Sequence, residues 1–244
     1  MNYQQDMIEH AAACYPNESC GLLVRTADGL AYLPAQNLAP EPTESAIIDP
    51  ESWIEADRLG EVVGIVHSHP DGPFVLSGAD RLAQQQTGLP WYLVVGDQVR
   101  KFPPVPPLLG REFHHGVTDC YTLSRDAYAL AGHHFPDWDR EDDWWEKGKN
   151  YYLDNFESFG FVRVDDPQPG DVFLIQLASD TPNHTAIYLG DGQILHHCPN
   201  RLSGRQIYGG AWQRHLHSIW RYTQWQPSDF MGICNDLAAG SPSM

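Results

Sequence analysis

Two histidines and an aspartate in the first third of the chain could together bind a metal ion. His67 and His69 stand two residues apart at the end of the apolar run VVGIVHSHP, and Asp80 follows in the segment SGAD. Residues i and i+2 of a strand point to the same side, so both imidazoles can reach one point. Two imidazoles, a carboxylate and a water form the open tetrahedral arrangement of a catalytic zinc ion. These residue types and this spacing predict a Zn²⁺ site.

Each of these features has an ordinary structural explanation when it is taken alone. A second His-X-His pair occurs at His215 and His217, where no acidic partner follows. The residues from Ser77 to Asp80 form a common helix start, in which the hydroxyl caps free backbone N–H groups. The combination is more informative, because a helix that begins at Ser77 places Asp80 one turn in, facing the end of the strand.

A catalytic zinc ion also needs a general base, and the candidate is Glu18, which precedes an apolar strand in YPNESCGLLV. The segments NESCGLL, HSHP and SGAD resemble the JAMM motif of the JAB/MPN metalloproteases, a glutamate followed by H-[ST]-H-x7-S-x-x-D. The resemblance implies that His67, His69 and Asp80 bind zinc. It also implies that Glu18 takes a proton from the zinc-bound water and that Ser77 helps to hold the oxyanion. Enzymes of this family cut amide or isopeptide bonds.

A second group of reactive side chains centres on Cys120, which begins a predicted helix in TDCYTL. The N-terminus of a helix favours negative charge, so we expect a stabilised thiolate there. A nucleophilic thiolate needs an imidazole and a third polar group that orients it. His184 begins a strand and His196 ends the strand that returns through the turn GDG, so a hairpin brings them close. His197 is the alternative for the third position, and Cys198 is the alternative thiol.

The segments TDCYTL, QPGDVFLI, NHTAIYLG and ILHH resemble the NlpC/P60 cysteine peptidases over residues 112 to about 225. The resemblance implies that Cys120 is the nucleophile, that His184 is the general base and acid, and that His196 is the orienting group. The small residue that follows the cysteine in this family is Tyr121 here, which leaves the shape of the cleft open. Known members mostly cut the stem peptides of peptidoglycan.

The elements that position these residues fall into two domains. Four prolines within residues 103–107 forbid a helix and favour an extended linker. We expect a first domain over 1–106, a linker over 107–112 and a second domain over 113–244. The two resemblances imply an α+β protein, a JAB/MPN domain with a cytidine-deaminase-like α/β sandwich followed by an NlpC/P60 domain with a papain-like α+β fold. In the second domain, WWEKGKNYYLDNFESFG predicts a helix over 144–160.

Composition excludes some classes of partner. The net charge is −17, with 15 lysines and arginines against 32 acidic residues, which argues against nucleic acid. No window approaches the roughly 18 apolar residues of a membrane span, and acidic residues stand where a signal peptide needs an apolar core. The five cysteines contain no CxxC pair, which fits a reducing compartment. We therefore expect the chain to stay in the cytoplasm of the cell that makes it.

The succession of the two domains in one chain of 244 residues resembles the tail-tip assembly proteins of lambda-like siphophages. This resemblance implies a bacteriophage protein that acts in the host bacterial cytoplasm during tail assembly, with the virion tail tip as a second location. Its partners would be other tail-tip proteins, with peptidoglycan as a further one. The leading hypothesis is a hydrolase with a zinc metallopeptidase site and a cysteine endopeptidase site. The alternative is a structural assembly or docking factor whose sites are dormant or relics.

Overall fold

A computed structural model of the chain describes residues 2–239. The chain divides into two compact units, the first ending at Pro106 and the second beginning at Pro107. The second domain expected from the sequence extends to 244, and its residues 240–244 lie outside the described part. Within residues 2–239, no helix combines the length and the apolar character that crossing a membrane requires.

The first unit is built on one mixed sheet. Its elements are α1 (Tyr3–Cys14), β1 (Cys20–Thr26), β2 (Gly29–Ala35), α2 (Pro50–Leu59), β3 (Glu61–Ser68), α3 (Gly78–Thr87), β4 (Trp91–Val95) and β5 (Gln98–Phe102). The strand order is β2-β1-β3-β4-β5, with β3 and β4 parallel and the other neighbours antiparallel. In this register His67 lies between Cys20 of β1 and Leu93 of β4, so the central strand delivers it.

Helices cover both faces of this sheet. Adjacent strand residues point to opposite faces, so Leu22 and Leu23 of β1 belong to different apolar clusters. Leu23 packs with Met7 of α1, whereas Leu22 packs with Ala56 of α2. The α3 helix joins the second cluster through Ala83. The resulting three-layer arrangement is the α/β sandwich that the first resemblance implies.

Local sequence signals fix where α3 begins and ends. The Ser77 hydroxyl accepts a hydrogen bond from the Asp80 N–H, and the Asp80 carboxylate accepts one from the Ser77 N–H, which completes a capping box. Gly88 ends the helix with φ of 66°, in the left-handed region that glycine adopts without steric cost. The capping box therefore holds the Asp80 carboxylate in the first turn, at the end of α3 that faces the strand carrying His67.

The second unit is built on an antiparallel sheet. Its elements are α4 (Cys120–Leu130), α5 (Tyr151–Phe156), β6 (Phe161–Val164), β7 (Val172–Ile175), β8 (His184–Gly190), β9 (Gln193–His196), β10 (Gly204–Ile207), α6 (Ala211–Arg214), β11 (Leu216–Tyr222), a 3-10 turn (Pro227–Asp229) and α7 (Phe230–Ala239). The strand order is β10-β9-β8-β7-β11-β6. The α4 helix is almost wholly buried, and the Thr185 hydroxyl of β8 donates to the Cys120 carbonyl at 2.8 Å.

The helix predicted over 144–160 is mostly wrong. Its helical part is limited to Tyr151–Phe156, and turns occupy the residues before it. Asp143 and Gly148 have φ of 52° and 75°, and a left-handed backbone cannot continue a right-handed helix. The turns allow Trp144 to insert into the core, where it is 1% exposed. Tertiary packing of an aromatic side chain therefore overrides the local helical pattern.

Residues 107–112, expected to be a linker, pack against the second unit. Leu108 is fully buried, and its N–H donates to the Asp236 carboxylate at 2.8 Å. The Arg111 guanidinium forms a buried ion pair with Asp126 at 2.7 Å. The segment has no helix or strand and bends at residues 108–110, and it is part of the packed structure of the second unit.

Candidate active sites

The side chains of His67, His69 and Asp80 converge on one point in the first unit. The two Nε2 atoms lie 3.0 Å apart, and Asp80 Oδ2 lies 3.3 Å from each of them. A tetrahedral zinc ion, with bonds of about 2.0–2.2 Å to nitrogen and oxygen, holds its ligand atoms about 3.3–3.6 Å apart. The three donor atoms are therefore of the right type and close to the right separation for zinc.

The surroundings prepare this group to bind a cation. His69 Nδ1 lies 3.1 Å from the Pro73 carbonyl and donates to it, so Nε2 is the ring nitrogen that faces Asp80 and binds a metal once its proton has left. Burial alone would raise the pKa of Asp80. The positive charge of His67 and hydrogen bonds from both histidines and the Ser77 N–H outweigh burial and hold that pKa well below its ordinary value. Asp80 is therefore a carboxylate at neutral pH.

Glu18 and Ser77 lie beside these three residues. Glu18 is buried, and its Oε1 atom lies 4.0 Å from His69 Nε2. Burial raises the pKa of Glu18, although the neighbouring His67 and His69 reduce the shift. A carboxylate whose pKa is raised toward neutrality accepts a proton more readily. The Ser77 oxygen accepts a hydrogen bond from the Asp80 N–H at 3.1 Å, which leaves its hydroxyl hydrogen to donate elsewhere.

In the second unit, Cys120 is the first residue of α4 and is held in a buried polar environment. Asp119 caps the helix and forms an ion pair with Arg140 at 2.9 Å. The Cys120 sulfur lies 3.5 Å from the Tyr152 hydroxyl. Burial raises the pKa of the Cys120 thiol, the Asp119 charge adds to this, and the contact with Tyr152 opposes it. The thiol is therefore protonated at neutral pH, and a base must remove its proton.

The structure brings His196, and not His197, against His184. His184 Nε2 lies 3.3 Å from His196 Nδ1. The register pairs His196 with Ala186, which places both histidines on the same face of the hairpin. The His197 ring instead packs against Phe113, with ring centroids 5.1 Å apart. Burial and the charge of His184 lower the pKa of His196 to about 4, so His196 is neutral and can accept a hydrogen bond from His184.

Two residues that were not predicted from the sequence support this histidine pair. The Gln206 side chain accepts a hydrogen bond from the His196 ring and another from Trp212 Nε1 at 3.1 Å. The Trp212 ring packs against both histidines, with centroids 4.5 Å from His196 and 5.8 Å from His184. Gln206 lies on β10, a strand that the sequence did not predict, so no local signal pointed to it.

A cavity of about 390 Å³ links the thiol with the histidine. Cys120 and His184 both line it, together with the aromatic side chains of Phe113, Trp144, Trp145 and Tyr152 and the acidic residues Asp142 and Asp143. Tyr121 does not belong to this lining, because its hydroxyl donates to the Pro136 carbonyl at 2.6 Å and its ring packs on Trp138. The large residue after the cysteine therefore leaves the cleft open.

Cys198, the alternative thiol, lies directly against the histidine pair. Its sulfur is 3.5 Å from His196 Nδ1 and 4.0 Å from His184 Nε2. Cys198 is half-buried and follows the end of β9. The structure therefore places both thiols near the histidine pair: Cys198 is in contact with it, and Cys120 shares the cavity lining with His184.

Comparisons with known proteins assign both halves of the chain. Residues 2–105 match the family of prokaryotic homologs of the JAB domain, and residues 110–221 match the NlpC/P60 family. The chain is thus a two-domain α+β protein with a JAB-like domain followed by an NlpC/P60 domain. A solved Staphylococcus aureus protein described as similar to lipoprotein, NLP/P60 family, has a TM-score of 0.34 and 20% identity, covering 46% of this chain and 36% of its own.

Two relatives resemble the chain over most of its length. Tail tip assembly protein K of Escherichia phage lambda is 55% identical over 196 residues, 80% of this chain and 98% of that protein. Tail tip assembly protein K of Escherichia phage N15 is 38% identical over 225 residues, 88% of this chain and 92% of that protein. The chain belongs to the family of tail tip assembly protein K.

Proposed function

We propose that this protein is a bifunctional peptidase that takes part in assembling a phage tail tip. The first unit would carry a zinc-dependent peptidase or isopeptidase site, and the second a cysteine peptidase site with Cys120, His184 and His196. The observation that carries the proposal is the convergence of His67, His69 and Asp80, with 3.3 Å or less between their donor atoms. The names of the two relatives support a role in tail assembly alongside other tail proteins.

In the first unit, the two histidines and Asp80 would hold zinc. When bound, the ion supplies Lewis acidity and lowers the pKa of water. The Glu18 carboxylate accepts a proton from the attacking water as its oxygen bonds to the substrate carbonyl carbon. The Ser77 hydroxyl donates a hydrogen bond to the oxygen that becomes negative. Glu18 then gives the proton to the leaving nitrogen as the C–N bond breaks.

In the second unit, the reaction would use the two sides of the His184 ring. Nε2 faces His196, so Nδ1 takes the proton from the Cys120 thiol. The thiolate attacks the carbonyl carbon of the peptide, His184 returns the proton to the leaving amine, and a thioester remains. Water then hydrolyses the thioester with His184 as base. The NlpC/P60 assignment of this unit supports peptidoglycan stem peptides as its substrate class.

The zinc content of purified variants tests the first site. We expect His67→Ala to lose one equivalent of zinc relative to the wild type, because two ligands no longer form a closed site. His215→Ala is the matched control, since it removes a histidine from the second His-X-His pair, which has no acidic partner. An undiminished zinc content in His67→Ala would contradict the ligand assignment.

Labelling by a thiol-directed inhibitor tests the second site. Peptide mapping should find the label on Cys120 in the wild type, and Cys120→Ser should abolish it. Cys198→Ser is the matched variant, because it removes the other thiol beside the same histidines. Label on Cys198, retained in Cys120→Ser, would reassign the nucleophile.

One observation favours a second function, that of a structural assembly factor with dormant sites. Cys120 is 6% exposed, and burial raises the pKa of its thiol. Complementation with phage that carry Glu18→Gln or Cys120→Ala separately distinguishes the two functions. If catalysis is needed, each variant fails to produce infectious tails. Normal tails from both variants would favour the structural function.

A further inference from the structure

The contact of Cys198 with the histidine pair creates a second group of metal-binding atoms. His184 Nε2, His196 Nδ1 and Cys198 Sγ lie 3.3, 3.5 and 4.0 Å from one another. A tetrahedral zinc ion holds two imidazole nitrogens about 3.3–3.4 Å apart, and a nitrogen and a thiolate about 3.5–3.6 Å apart. We propose that these three side chains form a second zinc site, which inhibits the cysteine peptidase site when it is occupied.

The hydrogen bonds around His196 leave the correct ring nitrogen free for a metal. Gln206 accepts a hydrogen bond from the His196 ring, and Trp212 donates to the same Gln206 oxygen. Since Nδ1 faces His184 and Cys198, the bond to Gln206 uses Nε2, and Nε2 carries the proton. This arrangement fixes the His196 ring and presents an unprotonated Nδ1, as in metal sites whose histidines donate through their other nitrogen.

Metal binding changes the protonation of the other two ligands, Cys198 and His184. The Cys198 thiol loses one proton to solvent and binds as a thiolate. His184 stays neutral, but its proton must be on Nδ1 when Nε2 bonds to the ion. The three protein ligands leave one position for water. The net reaction therefore releases one proton per ion, and the site binds more tightly as the pH rises.

The cavity borders this group. His184 lines the cavity, and so does Pro199, the residue after Cys198. A thiolate with two imidazoles selects zinc over magnesium or calcium, which prefer oxygen ligands. The site in the first unit offers two imidazoles and a carboxylate but no sulfur. The two sites therefore differ in a ligand that spectroscopy can detect.

Occupancy would block the chemistry proposed for the second unit, and this part of the inference depends on that proposed function. With Nε2 bound to the ion, His184 can no longer donate to His196. With the proton on Nδ1, it can no longer accept one from Cys120. Zinc would thus remove the general base without contacting the nucleophile. Cys198 is the residue that makes this inhibition possible, because the two histidines alone supply only two ligands.

Titration with Co²⁺ in place of zinc tests the metal site without measuring catalysis. Thiolate-bound Co²⁺ gives a charge-transfer absorption in the near ultraviolet, and carboxylate-bound Co²⁺ does not. We expect this absorption in the wild type, its loss in Cys198→Ser, and its retention in Cys120→Ser and His67→Ala. Absence of the absorption in the wild type, or its loss in Cys120→Ser with retention in Cys198→Ser, would overturn the site.

The rate of Cys120 alkylation tests the inhibition separately. We expect added zinc to abolish labelling of Cys120 in the wild type and to leave labelling in Cys198→Ser unaffected. Zinc that suppresses labelling equally in both proteins would overturn the role of Cys198. A protein whose Cys120 is unlabelled without zinc would refute the proposed peptidase, whereas the cobalt absorption would still establish the metal site.

Discussion

The substitution Asp119→Asn should destabilise the second unit by removing one partner of a buried ion pair. The side chains of Asp119 and Arg140 are 3% and 0% exposed, and Arg140 Nε donates to Asp119 Oδ2 at 2.9 Å. The same carboxylate accepts hydrogen bonds from the N–H groups of Gly116 at 2.9 Å and Thr122 at 3.0 Å. The pair connects the start of the helix that carries Cys120 to the segment that contains Arg140.

The size of the effect follows from what each substitution removes. Leaving one charge of a buried pair without its partner costs about 3–5 kcal/mol of unfolding free energy. Arg140 keeps its hydrogen bonds to Asp137 and to the Trp138 carbonyl. We therefore expect Asp119→Asn to lower the free energy of unfolding by about 3 kcal/mol, the lower end of this range. The asparagine oxygen can still cap the Thr122 N–H. Asp119→Ala also loses this cap, worth about 1 kcal/mol, so about 4 kcal/mol is expected.

The destabilisation should depend on pH. Burial disfavours the charged form of Asp119, but the Arg140 charge and the N–H bonds outweigh burial and lower its pKa in the folded protein. A carboxyl whose folded pKa is lowered stabilises the fold above its unfolded pKa of about 3.9, and this contribution disappears as the pH falls through the folded pKa. The wild type and Asp119→Asn should therefore differ most at neutral pH and converge in acid.

Urea unfolding followed by tryptophan fluorescence measures this difference, because six of the eight tryptophans lie after residue 107. Asp137→Asn is the matched control. Asp137 also pairs with Arg140 but is 43% exposed, so its loss should cost no more than about 1 kcal/mol. The reasoning is refuted if Asp119→Asn costs no more than the control at neutral pH, or if its cost is the same at about pH 3.

Three further predictions concern packing and metal. A Cβ at Gly232 would overlap the Leu130 carbonyl oxygen, so Gly232→Ala should lower the free energy of unfolding by about 1–3 kcal/mol in urea, while Gly209→Ala, whose Cβ would meet only Ile207 at 4.0 Å, should be neutral. Trp144→Ala should lower the free energy of unfolding by about 3–5 kcal/mol in the same assay, because the ring is fully buried. A decrease no larger than that caused by Trp145→Ala would contradict this prediction. Free zinc at about 1,000 times its Kd should raise the free energy of unfolding of the first unit by about 4 kcal/mol. This stabilisation should be measured as a higher unfolding temperature in the wild type and should be absent in His67→Ala.

The sequence predicted the fold class and the elements of the first unit well. The α+β class with two domains is confirmed by the family matches and the two sheets. The signals there are local, namely the cap at Ser77 and the apolar runs of β1 and β3. The convergence of His67, His69 and Asp80 follows from the same signals, because a strand end and a capped helix turn face each other. The catalytic and metal-binding roles of these residues remain predictions.

What the sequence did not predict depends on contacts between distant residues. The backbone at Asp143 is left-handed, and the ring of the neighbouring Trp144 is buried in the core. Gln206 and Trp212 meet His196 only once three strands have assembled. The raised pKa of Cys120 likewise reflects burial in the assembled unit rather than its position in a helix. Periodicity in one segment contains no information about such pairings.

The packing of residues 107–112 determines where the chain can be divided. A fragment that begins at residue 113 would leave the space filled by Leu108 empty and would lose the hydrogen bond from Leu108 to Asp236 and the ion pair of Arg111 with Asp126. A fragment that begins at Pro107 keeps all three contacts. To test the two activities separately, each half should be expressed alone, with the second half beginning at Pro107. If a second half that begins later is inactive, the cause would be its damaged fold and not the chemistry of Cys120.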